Sequence, residues 1–207
     1  MTAARRPDGA RFPEVEGFIL AGGASSRMGR DKALLEIAGA PLIVRTADLL
    51  GGLLVRVTVI APTDRYTGLG LTMTSDLYPG VGTLGGVATA LRRASAPWSL
   101  IMACDLPFVT KSWLEHFIPR ALDSGADAVF PRRAMCALWS KRCEEPTARA
   151  IEAGTQKVKD ALGELRVLEL QEPEWRPFDA HGRLFMNVNT PKDFAVAKRI
   201  LERTQPR

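Results

Sequence analysis

The residues of this chain best suited to chemistry sit in Leu20-Ala21-Gly22-Gly23-Ala24-Ser25-Ser26-Arg27-Met28-Gly29-Arg30-Asp31-Lys32. Paired glycines after an apolar run leave backbone N–H groups bare, and bare N–H groups at a turn attract anions. Arg27 and Lys32 add two fixed cations to the same loop, with Arg30 between them. Amides and cations together suit a polyphosphate; a solvated Gly/Ser turn with incidental charge is the plainer alternative. Two phosphate motifs are excluded. A P-loop ends in Gly-Lys-Ser/Thr, whereas Gly29 is followed by Arg30-Asp31-Lys32. A dinucleotide fingerprint needs three glycines at fixed spacing opening a helix, and Gly22, Gly23 and Gly29 do not supply it.

Asp105 follows the apolar run Ser99-Leu100-Ile101-Met102-Ala103 and precedes Leu106-Pro107. A carboxylate there must be paired, coordinate a cation, or shape the turn. Mg²⁺ is held by one or two carboxylates plus phosphate oxygens, so Asp105 is a candidate metal ligand. Asp76, ahead of Leu77-Tyr78-Pro79-Gly80, reads either as a turn residue or as part of a ligand pocket. Asn187 and Asn189 project to the same side of an extended segment before Thr190-Pro191. Two neutral carboxamides there can hold a ligand or order a metal site without adding charge; helix capping by Asn189 is the alternative reading. His116 and His181 are isolated and carry no assigned chemistry, and Cys104, Cys136 and Cys143 contain no C-x-x-C pair.

These residues need elements to position them. Strands are predicted at Val15–Leu20, Leu53–Ala61, Leu71–Ser75, Trp98–Ala103, Ala126–Pro131, Ala134–Ser140 and Leu165–Leu170. A short apolar run, Ala33–Ile37, ends at a Gly39-Ala40-Pro41 turn. Helices are predicted over Leu42–Leu50, from the Tyr78–Gly86 turn to Ala94, and over Ser112–Leu122, Pro146–Ala153 and Lys157–Leu162, with a last one opening at Thr190-Pro191. Alternation of strand and helix predicts an α/β, Rossmann-like three-layer domain, its central sheet mostly parallel with helices on both faces. Ligands of such sheets bind beyond the carboxyl ends of the strands, and Gly22, Asp76 and Asp105 all lie just past strand ends. Residues 1 to 14 read as a flexible tail and 15 to 207 as a single domain, with no internal repeat or linker.

Composition bounds the function. At 207 residues with 46% hydrophobic and 25% charged side chains, the chain is an ordinary globular one. Its net charge of +5 favours anionic ligands weakly. Nucleic-acid binding would call for a basic stripe interleaved with aromatics, which two tyrosines and dispersed tryptophans do not make. No apolar run approaches the roughly 20 residues of a membrane span, and no apolar signal core precedes residue 15. The expectation is a cytoplasmic protein with reduced thiols, bound neither to membrane nor to nucleic acid.

The glycine-rich loop resembles the L-A-G-G-x-S-x-R-M-G-x-D-K signature of the nucleotidyltransferases, and most of all that of the molybdenum cofactor guanylyltransferases. Ala103-Cys104-Asp105-Leu106-Pro107 and Asn187-Val188-Asn189-Thr190-Pro191 are similar to two further motifs of that family. The resemblance implies a domain of the nucleotide-diphospho-sugar transferase type that moves GMP from GTP to the phosphate of the molybdopterin cofactor and releases pyrophosphate. It implies Lys32, Arg27 and Asp105 as catalytic residues and Mg²⁺ on Asp105. It implies a nucleotide and cofactor pocket made by Leu20, Ala21, Gly22, Gly23, Lys32, Asp76, Gly82, Gly85, Asp105, Asn187 and Asn189. It further implies a monomer in transient contact with other cofactor-biosynthesis proteins. Some residues depart from the family: Gly82-Thr83-Leu84-Gly85-Gly86 replaces G-P-L-x-G, the strand end Val59-Ile60-Ala61 lacks an Asn, and Lys157 stands for an Arg. The open alternatives are a cytidylyltransferase for the same cofactor, a transferase acting on a sugar or polyol phosphate, and a non-catalytic nucleotide-binding relative.

Overall fold

A computed structural model of the protein describes residues 12–21, 31–132, 134–163 and 165–204. The first strand, β1 (Val15–Leu20), is buried on both faces, as its nearly unbroken apolar sequence requires of a central parallel strand. Its one charged residue, Glu16, is satisfied by the Ser95 amide (3.0 Å) and by Arg56 (3.5 Å). A single 3-10 turn follows at Lys32–Leu34, then a small hairpin of β2 (Glu36–Ile37) and β3 (Ala40–Pro41). That hairpin turns through Ala38 and Gly39, both at positive φ (52° and 81°), the hand that matches strand twist in a two-residue turn.

The remaining elements are α1 (Leu42–Gly51), β4 (Val57–Ile60), β5 (Met73–Thr74), α2 (Thr83–Arg93), β6 (Trp98–Ala103), α3 (Lys111–Leu122), β7 (Ala128–Pro131), β8 (Cys136–Ser140), α4 (Glu144–Glu152), β9 (Val167–Leu170), α5 (Glu172–Trp175) and α6 (Pro191–Thr204). Seven strands form one sheet in the order β5-β4-β1-β6-β8-β7-β9. Pairings β5–β4, β4–β1, β1–β6 and β7–β9 are parallel, and β8 runs antiparallel between β6 and β7. The sheet is mostly parallel, as predicted.

Alternation along the strands sorts the core into two layers. Ile19, Val59, Leu100 and Met102 face α1 and α3, whose Ile43, Leu50, Trp113 and Phe117 are buried against them. Phe18, Ile60, Ile101 and Trp139 face the other way, onto Val87, Ala90 and Leu91 of α2. A smaller cluster seats α6 on the hairpin through Leu35, Ile37, Leu42, Val188 and Ala197. Phe12, placed in the tail by the sequence, packs its ring on the first layer and donates its amide to the Leu53 carbonyl (3.4 Å).

Register matters most for the site. Leu20 lies opposite both Ile60 and Ala103, so the carboxyl ends of β1, β4 and β6 finish level and the residues after them share one edge. Several predicted elements are shorter. The strand expected over Leu53–Ala61 begins only at Val57, because Leu53 and Leu54 fold back onto the Leu50 carbonyl at the end of α1. Their apolar character serves the core from a turn. Leu71–Ser75 contracts to β5, Ala33–Ile37 splits into the 3-10 turn and β2, and the helix expected over Lys157–Leu162 is one 3-10 turn at Asp160–Leu162. The amides of Asp160, Ala161 and Leu162 bond three residues back, to the Lys157, Val158 and Lys159 carbonyls, which is the 3-10 pattern.

Helix α2 rides unusually near β1 and the loop before it. A Cβ on Gly85 would stand 2.6 Å from the Tyr78 carbonyl oxygen, and one on Gly86 would stand 2.9 Å from Cδ2 of Leu20. Gly51, also helical, has no neighbour within 4 Å of such a Cβ. Denaturant unfolding of Gly85→Ala is expected to show a loss of about 1–3 kcal/mol, since backbone must move to admit the methyl. Gly51→Ala is expected to show no loss, helix propensity favouring alanine there. Equal stabilities for the two variants would refute this packing.

Candidate active site

Asp105 stands two residues beyond β6. The Cys104 amide continues the sheet by donating to the Leu20 carbonyl (3.4 Å), and the Asp105 carbonyl accepts from the Val188 amide (2.9 Å). Val188 is fully buried, so this bond pins the Asn187-Val188-Asn189 segment to the strand end. Asp31 accepts the Ala33 amide on its side chain (3.0 Å) and so starts the 3-10 turn that opens with Lys32.

These three segments meet at one ammonium. Lys32 Nζ donates to Asp105 Oδ2 and to Asn189 Oδ1, each at 2.9 Å. The Lys32 and Asp105 side chains are 22% and 16% exposed, so water screens the pair only partly and their attraction counts for more than at an open surface. Asn189 is free for this role because Thr190 does the capping. Asp193 Oδ2 accepts the Asn189 and Thr190 amides (3.1 and 2.8 Å), and Thr190 Oγ1 accepts the Asp193 amide (3.2 Å). That reciprocal box answers the capping alternative for Asn189.

A cleft of about 1020 Å³ opens beyond the carboxyl ends of β1, β4 and β6. Leu20, Ala21, Lys32, Asp76, Gly82, Asp105, Asn187 and Asn189 all line it. Gly22, Gly23 and Arg27 lie outside the described residues. Asp76 is partly committed to local structure: its Oδ1 accepts from the Tyr78 amide (2.9 Å) and from the buried Thr89 hydroxyl (2.7 Å) of α2. Gly82 adopts φ 74° and heads α2 at the cleft rim. Gly85 is a correction. It does not line the cleft; its missing side chain makes room for the Tyr78 carbonyl, a packing duty that its position in a glycine-rich turn does not distinguish from ligand contact.

Two residues that sequence reasoning passed over join the site. Asp31 belongs to the Asp-Lys end of the loop, a signal that was legible. Tyr66, 2% exposed, donates its hydroxyl to the Ala21 carbonyl (3.0 Å) and to Asp31 Oδ2 (2.9 Å), and nothing in the aperiodic 62–70 segment announces it. Cys104 also lines the cleft, yet burial and the neighbouring Asp105 push its thiol up to about 12, so it is a neutral wall rather than a nucleophile. Among the described residues, no three His, Cys, Asp or Glu side chains cluster into a metal cage. One carboxylate flanked by two carboxamides fits a hard cation that arrives with phosphate oxygens and water as its other ligands.

The Asp193 box predicts a signed pH dependence. Its bond to Thr190, with the two backbone amides, outweighs partial burial and holds the Asp193 carboxyl below the usual carboxylate range. A depressed value means the contribution is present above the unfolded value of about 3.9 and lost as pH falls through the folded one. Asp193→Ala is expected to cost about 0.3–1 kcal/mol at neutral pH in denaturant unfolding, with the difference from wild type shrinking in acid. A difference that grows on acidification would contradict this sign.

Comparison with known proteins fits this geometry. Residues 17–169 match the family described as the MobA-like NTP transferase domain. A probable molybdenum cofactor guanylyltransferase of Pelotomaculum thermopropionicum is 32% identical over 93% of this chain and 96% of its own length. A molybdenum cofactor guanylyltransferase of Rhodopseudomonas palustris is 33% identical, covering 92% and 96%. Among solved structures, molybdopterin-guanine dinucleotide biosynthesis protein A from Archaeoglobus fulgidus superposes with a TM-score of 0.79 at 26% identity, over 91% of this chain and all of that one. At 19% identity and a TM-score of 0.66, 2-C-methyl-D-erythritol 4-phosphate cytidylyltransferase from Thermus thermophilus, matched over 88% of this chain and 96% of its own, shares the fold. By sequence and by architecture, the chain belongs to the MobA-like NTP transferase family.

Proposed function

We propose that this nucleotidyltransferase joins GMP from GTP to the phosphate of the molybdopterin cofactor and releases pyrophosphate. The observation that carries the reading is the meeting of Lys32, Asp105 and Asn189 in a cleft beyond the strand ends. The names of the full-length relatives support guanylyl transfer to this acceptor over the cytidylyl and sugar-phosphate alternatives. At about 1020 Å³ the cleft is at the upper end of ligand-site volumes, in keeping with two substrates bound together.

In this reading the Asp105 carboxylate would hold Mg²⁺, and Asn187 and Asn189 would offer neutral carboxamide oxygens in the same cleft. When bound, the ion supplies positive charge to the α-phosphate and acceptor oxygens. Lys32 gives its ammonium to phosphate oxygens, while Arg27 and the Gly22 and Gly23 amides hold the β and γ phosphates. An oxygen of the acceptor phosphate forms the new bond to the α-phosphorus as the bond to pyrophosphate breaks in line. That oxygen is already anionic, so the chain needs no general base; its work is alignment and charge stabilisation of the leaving pyrophosphate. Gly82 and Asp76 line the same cleft and are assigned to the guanosine end of the nucleotide. In this reading the reaction runs in the cytoplasm, with GTP and molybdopterin as partners and transient contact with other cofactor-biosynthesis proteins.

The test is pyrophosphate release with molybdopterin, Mg²⁺ and GTP, CTP or ATP in turn. GTP is expected to support turnover and chelation of Mg²⁺ to abolish it. Asp105→Ala is expected to lower turnover by at least about 100-fold with its thermal midpoint nearly kept, as loss of a preorganised charge does. Metal-dependent turnover retained in that variant would remove Asp105 from its role, and release with CTP alone would reassign the nucleotide.

A further inference from the structure

The loop between β4 and β5 delivers one fully packed polar side chain for which the transfer reaction has no task. Tyr66 sits in the first core layer, 2% exposed, with its hydroxyl against two acceptors, the Ala21 carbonyl and Asp31 Oδ2. A hydroxyl has one proton to give, so the O–H is shared between the two acceptors in a three-centre bond that links both. Those two atoms stand at the two mouths of the glycine-rich loop, one at the end of β1 and the other just ahead of Lys32.

Each tied residue is also held on its other side. The Ala21 amide extends the sheet by donating to the Ile60 carbonyl (3.2 Å). Asp31 Oδ1 fixes the 3-10 turn through the Ala33 amide (3.0 Å), and Arg65 Nε lies 3.7 Å from Asp31 Oδ2. Lys32 is the first residue of that turn, so where Tyr66 places Asp31 decides where the Lys32 backbone starts. A lysine side chain is long and flexible, and its ammonium reaches a fixed point reliably only when its Cα is anchored.

We propose that Tyr66 is a positioning residue: its hydroxyl staples the end of β1 to the start of the Lys32 turn, and so aims Lys32 at Asp105, Asn189 and the phosphates of the nucleotide. The staple rests on the reading of Lys32 as a phosphate-binding residue only in its last consequence; its first, the joining of residues 21 and 31, stands on the geometry. Burial and the Asp31 carboxylate hold the phenol far above its ordinary value, so the hydroxyl keeps its proton across the physiological range.

Three variants of the full-length protein test this, each measured for Mg-GTP affinity by calorimetry, thermal midpoint and amide hydrogen exchange. Tyr66→Phe keeps the buried ring and removes only the O–H. It is expected to weaken Mg-GTP binding about tenfold, because the loosened Lys32 turn must be ordered when the nucleotide binds, and to lower the midpoint by only about 4 °C. Exchange is expected to rise together in peptides covering 12–21 and 31–41, with β6 unchanged. Asp31→Ala is expected to behave the same way. Asp31→Asn is expected to keep affinity within about threefold, because the new amide can donate to the Tyr66 oxygen while the phenol proton passes wholly to Ala21. A purely structural tyrosine would lower the midpoint and leave the affinity alone, and that result overturns the proposal. So does an Asp31→Asn variant as impaired as Asp31→Ala, which would make the charge and not the staple the cause. Should the wild-type protein bind no Mg-GTP, the functional reading fails, while unchanged exchange at the two flanking segments would by itself dismiss the staple.

Discussion

One ion pair sets the charge arrangement at the working end of this molecule. Lys32 and Asp105 are 73 residues apart in sequence, and the Asn189 that shares the ammonium lies 157 residues from Lys32. A carboxylate projecting from a buried strand end is costly unless a cation meets it. The sheet therefore has to bring a cation to that place, and it does so by finishing β1 and β6 level, so that the segments leaving the two strands arrive at the same edge. The C-terminal segment is then drawn in by the bond from the Val188 amide to the Asp105 carbonyl and by the seat that α6 finds on the hairpin. An edge that demands positive charge is also an edge where a magnesium nucleotide is well received, which links the folding constraint to the chemistry.

Much of this was legible in the residues. β1 and β6 match their predicted bounds because an unbroken apolar run ended by glycine or Asp-Leu-Pro permits little else. Asp105 stood out for the same reason, as a charge where apolar residues had just ended. The Asn187–Pro191 motif drew attention, although its capping half needed Asp193, four residues past Asn189, to be assigned. The features that stayed hidden depend on contacts distant in sequence. Leu53 and Leu54 carry strand-like side chains but lie in a turn, because helix α1 reclaims their amides. Gly85 looks like its neighbours in a glycine-rich turn until the Tyr78 carbonyl is seen beside it. Tyr66 has no periodic partner at all, and its use is visible only once residues 21 and 31 are known to flank it.

The glycines at the head of α2 and the cysteine of the cleft divide their labour. Gly86 lets α2 approach Leu20, Gly85 admits a loop carbonyl, and Gly82 bends the chain at the rim. Cys104 contributes an apolar, unreactive surface next to the carboxylate. A cytidylyltransferase shares this fold at 19% identity, and a fold alone does not fix a substrate. Thr83, which replaces the proline of the related motif at the head of α2, lines the cleft.

The central claim is spatial, that metal and nucleotide are gathered at the carboxyl edge of β1 and β6, and paramagnetic broadening reads position directly. With GTP present and Mn²⁺ in place of Mg²⁺, the amide signals of Cys104, Asp105, Val188 and Asn189 are expected to broaden. Those of Trp98 and Ser140, paired at the opposite end of the sheet, are expected to stay sharp. Broadening centred on Trp98 and Ser140, or none around Asp105, would contradict the account.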